Sequence, residues 1–265
     1  MNSNGNSNSV TELFNAAHAE GVLSPAALQA LTVVDLGAQI QAGLGVHVDD
    51  VQASEVVLVT VMPDDSGSIA SAGHSQTVCD GHNLVLDALL SSQQKDGVLF
   101  HTRYLNGHVL NPYRPLEDVV RMHGKNYDPN LGTPLYDQTV VLLGTVLAKA
   151  QEFTRNGVTA RTVTLLISDG ADMHSQHQRA RDVAALVKDL QRAENHIVAA
   201  MGIHDGQTDF RRVFRDMGIE DKWILTPGQS AQDIRAAFQV FSQSAVRVSQ
   251  GAASFSRTAL GGFGR

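Results

Sequence analysis

Apolar residues occur in this chain in two kinds of run, short β-branched stretches and longer stretches with helical spacing. Residues 56–62 and 161–168 are apolar and β-branched enough to form strands buried on both faces, as in a parallel sheet. Residues 196–203 and 222–225 are predicted to form two further strands. Segments with helical spacing separate these strands, and this alternation is typical of a doubly wound, mostly parallel sheet.

A hairpin interrupts the alternation. Residues 97–104 and 108–113 both read as strands, and Asn106 with Gly107 between them is a strong signal for a tight turn. The predicted fold class is therefore α/β: a doubly wound, mostly parallel sheet with one antiparallel edge hairpin and helices on both faces. The helices of this domain are predicted at residues 71–93, 116–122, 134–153, 176–194, 209–217 and 230–249.

The ends of the chain have a different character. Residues 1–8 are rich in Asn and Ser and are predicted to be disordered. A capping box predicts a helix start at Ser9, and Ser24 before a proline predicts a second helix that runs to about residue 43. The predicted division of the chain is a disordered N-terminus (1–8), a helical extension (9–50), the α/β domain (51–250) and a Gly/Ser-rich tail (251–265) that is flexible or lies on a partner.

Oxygen-bearing side chains follow both central strands. Asp64, Ser66 and Ser68 come directly after the first strand, and Asp169 follows the strand at 161–168. Thr133 precedes the long helix. Adjacent central strands of a doubly wound sheet bring their carboxyl ends together, so we expect these five residues to meet in one crevice. One carboxylate with two hydroxyls suits Mg²⁺, which keeps coordination positions for water or a ligand.

Each of these residues also has an ordinary structural role. Thr133 is suited to cap the long helix, and Asp169 before Gly170 is suited to a turn. Asp172 is either an outer hydrogen-bond acceptor of the site or a surface turn residue. The histidines nearest in sequence, at 174 and 177, either touch a metal or ligand or are solvated at a helix start. Cys79 has only a histidine at 82 nearby and is predicted to be a small buried residue.

The ordered set of Asp64, Ser66, Ser68, Thr133 and Asp169 resembles the metal-ion-dependent adhesion site of von Willebrand factor type A (VWA) domains. The resemblance covers roughly residues 54–245. The last predicted helix, AAFQVFSQSAVRVSQ, resembles that of intracellular bacterial VWA proteins associated with tellurium-resistance and stress gene clusters.

The resemblance implies a ligand set. Ser66 and Ser68 would bind Mg²⁺, Mn²⁺ or Ca²⁺ directly, Thr133 directly or through water, and Asp64 and Asp169 directly or through water. Asp65 stands where the family usually has a small or apolar residue. It either points to solvent or raises the local negative charge.

Composition narrows the classes of function. The chain has 265 residues, a net charge of −7 and a pI near 5.8, so no electrostatic attraction to nucleic acid or an anionic membrane is expected. A single cysteine fits a reducing compartment. No signal-peptide pattern and no apolar run of about 20 residues is found. We therefore expect a cytoplasmic protein that neither spans nor binds a membrane.

Two functions remain after these exclusions. The first is a divalent-cation-dependent protein-binding module that captures an Asp or Glu of a partner, in a stress-response complex or beside an AAA+ ATPase, as the resemblance implies. The second is a Mg²⁺-dependent, aspartate-based phosphohydrolase. That class needs a second Asp two residues after the nucleophile, where this chain has Ser66. It also needs a Lys near the phosphate, and neither Lys125 nor Lys149 is obviously placed for this role. We therefore expect a binding module and not an enzyme.

Overall fold

A six-stranded sheet forms the centre of the computed structural model, which describes residues 3–263, with side chains from residue 10. Its strand order is β3-β2-β1-β4-β5-β6, and only β2 and β3 are antiparallel within this range. The strands are β1 (Glu55–Met62), β2 (Val98–Arg103), β3 (Val109–Pro115), β4 (Thr159–Ser168), β5 (His196–Gly202) and β6 (Ile224–Leu225). The predicted fold class, including the edge hairpin, is confirmed.

Adjacent central strands position the predicted site. β1 and β4 are parallel neighbours, and Met62 of β1 stands opposite Leu166 of β4. Their following loops therefore leave the sheet at the same edge, as expected of parallel strands. Asp64 and Asp169 lie in these two loops.

Helices cover both faces of the sheet. α5 packs against α9 on one face, and α6 packs against α7 on the other. The helices are α1 (Ser3–Ala19), α2 (Pro25–Thr32), α3 (Gly37–Leu44), α4 (Gly67–Ser71), α5 (Ser75–Leu90), α6 (Leu135–Arg155), α7 (Ala180–Arg192), α8 (Phe210–Asp216), α9 (Ala231–Ser249) and α10 (Ala252–Gly261).

The long helix α6 is buried on nearly all sides. Its inner side packs on β1 and β4, and its outer side is covered by α3 and, at fewer points, by α1 and α2. The approach is close at Gly144, where an added Cβ would lie 2.8 Å from Leu31 and 3.0 Å from Ile40. The middle of α6, residues 139–148, carries only apolar side chains and threonines, and such a segment is expected to be interior. The N-terminal helices provide its outer cover.

Buried charged side chains of the α/β domain bind the backbone of the N-terminal helices. The Arg103 guanidinium is almost fully buried and donates to the Gln39 carbonyl. The Lys149 ammonium, also buried, donates to the Val46 carbonyl. These groups would lack those acceptors without the extension.

A second set of contacts fixes α2 on α7. The Ser24 amide donates to the buried Asp189 carboxylate at 2.6 Å. The Gln178 side-chain amide donates to the Ala30 carbonyl at 2.9 Å. The extension is therefore joined to the α/β domain by hydrogen bonds as well as by apolar packing.

The terminal segments differ from the sequence-based expectation. α1 begins at Ser3, so most of the segment predicted to be disordered is helical, while residues 1 and 2 lie outside the described range. Val10 and Phe14 on this helix are buried in the core, which explains its order. The second predicted helix is broken between α2 and α3, where the Asp35 carboxylate accepts from the Gly37 amide.

The C-terminal tail also forms a helix. α10 packs on α9, and its Phe255 side chain is buried. The ring of Phe263 lies edge-on to Trp223, with 5.0 Å between centroids. The expectation of a flexible tail is therefore wrong for residues 252–263; residues 264 and 265 lie outside the described range.

Some smaller elements are shifted. The helix predicted at 116–122 is only a 3-10 turn at Leu116–Asp118, because the Asn111 side chain binds both the amide and the carbonyl of Val120. Cys79 is buried as predicted. Along residues 3–263, no helix combines the length and the apolar character needed to cross a membrane.

Candidate metal centre

Two loops meet where the D-x-S-x-S segment leaves β1. Ser66 forms a parallel bridge with Leu131, and the Gly67 amide donates to the Leu131 carbonyl at 3.0 Å. This pairing brings the segment that contains Thr133 beside Ser66. The loop after β4 joins them through the Met173 amide, which donates to the Thr133 carbonyl at 3.1 Å.

Three oxygen atoms form a compact triangle at this junction. The hydroxyls of Ser66 and Ser68 are 2.9 Å apart. The Ser68 hydroxyl is 2.6 Å from Asp169 Oδ1, and the Ser66 hydroxyl is 3.4 Å from the same oxygen. Hydroxyls from one loop and a carboxylate from the next therefore converge on one point, as the sequence predicts.

The Asp64 carboxylate fixes the backbone of two residues of the oxygen triangle, Ser66 and Asp169. It is fully buried and accepts from the Ser66 amide at 2.8 Å, from the Ser168 hydroxyl at 2.8 Å and from the Asp169 amide at 3.2 Å. Burial raises the pKa of Asp64 above its ordinary value, although these hydrogen bonds act in the opposite direction. Ser168 is a residue of this site that the sequence analysis missed, because it reads as the last residue of a strand.

Negative charge is concentrated here without a protein cation. Burial raises the pKa of Asp169 to about 6, and the charge on Asp64 adds to the rise. Among the side chains from residue 10 to 263, no Lys, Arg or His forms an ion pair with Asp64, Asp65 or Asp169. Buried carboxylates are normally paired or bound to a metal.

The donor set fits a divalent cation of the Mg²⁺ type. Octahedral Mg²⁺ holds its ligands at about 2.0–2.1 Å, so neighbouring ligand oxygens lie about 2.9 Å apart. The three sides of the oxygen triangle, 2.6, 2.9 and 3.4 Å, bracket this spacing. No group of three or more His, Cys, Asp or Glu arranged to hold a metal occurs in the described residues. A metal at this site would therefore depend on the hydroxyl ligands.

Among the described residues, the hydrogen bonds of Thr133 are all formed by its backbone and none by its hydroxyl. The N-cap position of α6 is Pro134, and no side chain at that position caps the helix. The first turn is instead capped from the loop after β4, where Asp172 accepts from the Tyr136 amide at 3.1 Å. Ser175 likewise accepts from the Asp137 amide at 2.9 Å. The prediction that Thr133 caps this helix is therefore wrong.

A side chain of α6 in turn binds the loop after β4. The Asp137 carboxylate accepts from the amides of Gln176, His177 and Gln178, at 2.9, 3.2 and 2.7 Å. These three residues are thereby held in a loop, and α7 begins only at Ala180. Asp137 is a second supporting residue that the sequence did not reveal.

His174 orients the Thr133 backbone. Its Nδ1 accepts from the Thr133 amide at 2.8 Å, and its own amide donates to the Thr133 carbonyl at 3.2 Å. The ring packs against Gly132, where an added Cβ would lie 2.9 Å from it. Both histidines are exposed, and of the two it is the His174 ring that contacts the loop beside Thr133.

Asp65 has a structural function that the sequence analysis missed. Its side chain is buried, and one oxygen accepts from both the amide and the side chain of Asn106 at 2.9 Å. The Asn106 side chain also donates to the Gly132 carbonyl at 2.6 Å. The hairpin turn thus ties both loops together, and the expectation that Asp65 points to solvent is wrong. Tyr127 completes this support by donating to the Asp64 carbonyl.

A cleft of about 540 Å³ opens beside the oxygen triangle. Ser68, Thr133 and Asp169 line its floor together with side chains from the loops after β4 and β5. The other lining residues include His74, Met173, His204, Asp205, Gln207, Thr208 and Gln229. A ligand in this cleft would therefore touch the candidate metal ligands.

Replacing Thr133 by Val is expected to separate metal binding from helix capping. Val keeps the shape but removes the hydroxyl, so Mn²⁺ affinity measured by calorimetry should fall by about tenfold or more. The free energy of unfolding should remain within about 0.5 kcal/mol of the wild type. Asp172→Ala is the matched control: it should cost about 1 kcal/mol of stability, as the loss of a cap does. A large loss of stability in Thr133→Val would contradict the assignment.

Asp169→Asn is expected to stabilise the metal-free protein in a pH-dependent way. The pKa of Asp169 is raised from 3.8 to about 6, so the native state retains a proton that the unfolded chain releases at lower pH. Stability from this group is therefore highest below about pH 4, falls as the pH rises to about 6, and stays low above it. Urea unfolding in chelator should show a gain of roughly 1 to 3 kcal/mol for Asp169→Asn at pH 7.5 and little gain at pH 4. Equal gains at both pH values would contradict this origin.

Solved structures share this fold. The chain is similar to the pilus adhesin SpaC from Lactobacillus rhamnosus GG in its open conformation, with a TM-score of 0.52 and 11% identity over 74% of this chain and 31% of that chain. It is also similar to the SpRpn10 VWA domain, with a TM-score of 0.47 and 11% identity over 75% and 98% of the two chains. For the manganese-loaded TRAP protein from Plasmodium vivax, the TM-score is 0.46 and the identity 17% over 70% and 72%.

The similarity to SpaC supports the architecture alone, because the identity is only 11%. The chain spans about a third of the SpaC chain that it matches. No family model and no curated protein matches the sequence. The class defined by the sheet order and the surrounding helices is a VWA-like α/β fold.

Proposed function

We propose that this protein is a divalent-cation-dependent protein-binding module in which Ser66, Ser68, Thr133, Asp64 and Asp169 hold the cation. The observation that carries the proposal is the oxygen triangle, which borders an open cleft. Its buried carboxylates form no ion pair with a Lys, Arg or His among the described side chains. A divalent cation supplies positive charge at this point. The capture of an acidic side chain of a partner follows from that charge.

The ligand set favours an acidic partner. Neutral hydroxyls contribute no charge, so a cation held by Ser66, Ser68 and Thr133 keeps much of its positive charge despite the two carboxylates. Mg²⁺ and Mn²⁺ prefer carboxylate and water oxygens as ligands, so a carboxylate of a partner suits a coordination position that the protein leaves open. The backbone contacts that fix the three loops hold these side chains in place before any partner arrives.

Cation-dependent retention tests the proposal. Wild-type protein immobilised in Mg²⁺ should retain partners that chelator releases, and excess acetate should compete with them. A Ser66→Ala, Ser68→Ala variant should retain none of these. Circular dichroism should show that chelator leaves the fold intact. Retention that is unchanged in chelator would overturn the proposal.

The biological setting that we propose is more specific. The partner is a protein, possessing an exposed Asp or Glu, in a cytoplasmic stress-response complex or an AAA+ ATPase assembly of bacterial type. This setting comes from the sequence resemblance, and the identity of the partner and the physiological metal are to be determined by the retention experiment.

A phosphohydrolase is the alternative function. It would use Asp64 as nucleophile, but Ser66 stands where such enzymes need a second Asp. Lys149 is buried within α6 and donates to Glu152 at 2.9 Å, and Lys125 is exposed on a loop. An assay with an aryl phosphate and Mg²⁺ distinguishes the two functions: turnover that Asp64→Asn removes would favour the enzyme.

A further inference from the structure

A buried histidine lines the cleft beside the candidate metal centre, and its ring forms no hydrogen bond with any of the described residues. His74 is 8% exposed, and it borders the same cleft as Ser68, Thr133 and Asp169. Its ring nitrogens are not among the fully enclosed side-chain atoms that lack a partner. The ring is therefore accessible from the cleft, although most of its surface is buried.

His74 occupies the N-cap position of α5 without capping the helix. Its side chain makes no hydrogen bond to the first turn, although this position usually carries a Ser, Thr, Asp or Asn that does so. The first turn of α5 also contains no acidic side chain. The positive end of a 16-residue helix therefore lies next to the ring, and helix capping does not explain the presence of a histidine here.

The backbone holds His74 in place. The His74 amide donates to the Ile69 carbonyl at 2.9 Å, and the His74 carbonyl accepts from the Val78 amide at 2.9 Å. The Ala72 amide donates to the Ser68 carbonyl at 2.9 Å within the same turn of chain. The position of His74 is thus tied to the loop that carries Ser68, a candidate ligand of the cation.

The other histidine of the cleft differs in both exposure and bonding. His204 is exposed, and its Nδ1 accepts from the Gly206 amide at 3.1 Å. A hydrogen bond to an exposed ring only replaces one to water and adds little affinity, whereas a buried polar group gains most from a partner. His74 is therefore the histidine of this cleft that can add affinity for a ligand.

We infer that His74 is a ligand-binding residue of the cleft, and that the ligand carries a second oxygen acceptor a few bonds from the carboxylate that binds the cation. This inference rests on the proposed function. The carboxylate takes the open position of the cation, and the second oxygen accepts from the N–H of the His74 ring. The positive end of α5 favours an oxygen acceptor at this place over a donor or an apolar group.

Pairs of small acids with the same skeleton test the inference on the full chain loaded with Mn²⁺. Malonamate, succinamate and glutaramate each carry a carboxylate and an amide oxygen, joined by linkers of increasing length. Isovalerate, isocaproate and isoheptanoate have an isopropyl group in place of the amide. Dissociation constants follow from the displacement of Mn²⁺-bound water, measured by proton relaxation. At least one amide should bind about fivefold more tightly than its isostere, which corresponds to about 1 kcal/mol, the net value of one hydrogen bond.

Variants of His74 separate a direct contact from a structural role. His74→Phe keeps a ring without nitrogens, and it should bind each amide no more tightly than its isostere. His74→Asn and His74→Gln each place an N–H near one of the two ring nitrogens, and one of them should restore part of the preference. In chelator, His74→Phe should unfold within about 2 °C of the wild type, because the ring forms no hydrogen bond with the described residues. His204→Phe is the matched control in the same cleft and should retain the full preference.

The outcomes separate the two hypotheses. If none of the acids binds in a Mn²⁺-dependent way, the proposed function fails and the inference fails with it. If amides and isosteres bind with Mn²⁺ but equally well, the function stands and the inference is overturned. A preference that survives in His74→Phe, that neither amide variant restores, or that His204→Phe removes, also overturns it.

Discussion

Deletion of residues 1–50 is expected to prevent the remaining chain from folding stably. The deletion exposes the outer side of α6 and removes the core side chains Phe14, Leu31 and Ile40. Loss of a large buried side chain costs about 2 to 5 kcal/mol. Several such losses exceed the roughly 5 to 15 kcal/mol by which a domain is stable. Soluble yield and a cooperative thermal transition are the measurements.

The polar contacts with the extension add less to this effect than the apolar area does. Without the extension, Arg103 loses the Gln39 carbonyl and Lys149 loses the Val46 carbonyl. The deletion also exposes both charged groups to water, and Arg103 keeps the Gly107 carbonyl while Lys149 keeps Glu152. Arg103→Met and Lys149→Met should therefore not restore soluble protein to the truncated chain, because each adds apolar surface to the exposed face. A truncated chain that unfolds cooperatively with wild-type stability would refute the expectation.

Replacement of Asp64 is expected to abolish metal binding. Its carboxylate holds the Ser66 and Asp169 amides, so its loss removes charge and also loosens both loops that carry ligands. Calorimetry should show that Mn²⁺ affinity falls by at least about 100-fold in Asp64→Ala and in Asp64→Asn, since loss of a ligand or its support costs about that much. Asp205→Asn, an acidic residue of the same cleft, should bind Mn²⁺ as the wild type does.

The two Asp64 variants should differ in stability. Asp64→Ala leaves two buried amides without this acceptor, those of Ser66 and Asp169, whereas the Ser168 hydroxyl can still donate to the Gly170 carbonyl. An unsatisfied buried donor costs about 1 to 3 kcal/mol. Asp64→Asn keeps one acceptor oxygen and removes the buried charge, so it should be the more stable variant in chelator. Wild-type Mn²⁺ affinity in either variant would remove the basis of the proposed site.

The sequence was sufficient to predict the sheet and the convergence of the candidate ligands. The runs that became β1 and β4 are rich in apolar and β-branched residues because these strands are buried on both faces, and such runs are visible without tertiary context. Once two such strands are adjacent and parallel, Asp64 and Asp169 must follow at the same edge. Whether these residues bind a cation stays a prediction.

The supporting contacts could not be predicted because they are long-range. Thr133 has the sequence context of an N-cap, yet Asp172 and Ser175 cap α6 from a loop about 40 residues later. Asn106 reads as a turn residue because its local signal is strong, and nothing local shows that it also binds Asp65. Side chains whose partners lie on another element have no periodic signature.

The terminal segments were misjudged for a related reason. The Asn- and Ser-rich start and the Gly/Ser-rich end have little local helix preference, and tertiary packing overrides that preference. On α1 the buried residues Val10 and Phe14 provide this packing, and on α10 Phe255 does. The few apolar positions of these segments therefore indicate their helical structure better than their overall composition does.

The enclosure of α6 has a kinetic consequence. A helix that is in contact with the sheet on one side and with α1–α3 on the other has no free surface along which to slide. Thr133 directly precedes this helix, so we expect it to keep the same position relative to the sheet in the free and the ligand-bound protein. Association with an acidic ligand should then proceed in a single step. Stopped-flow records should fit one exponential whose rate rises linearly with ligand concentration, without the plateau that a preceding helix movement would impose.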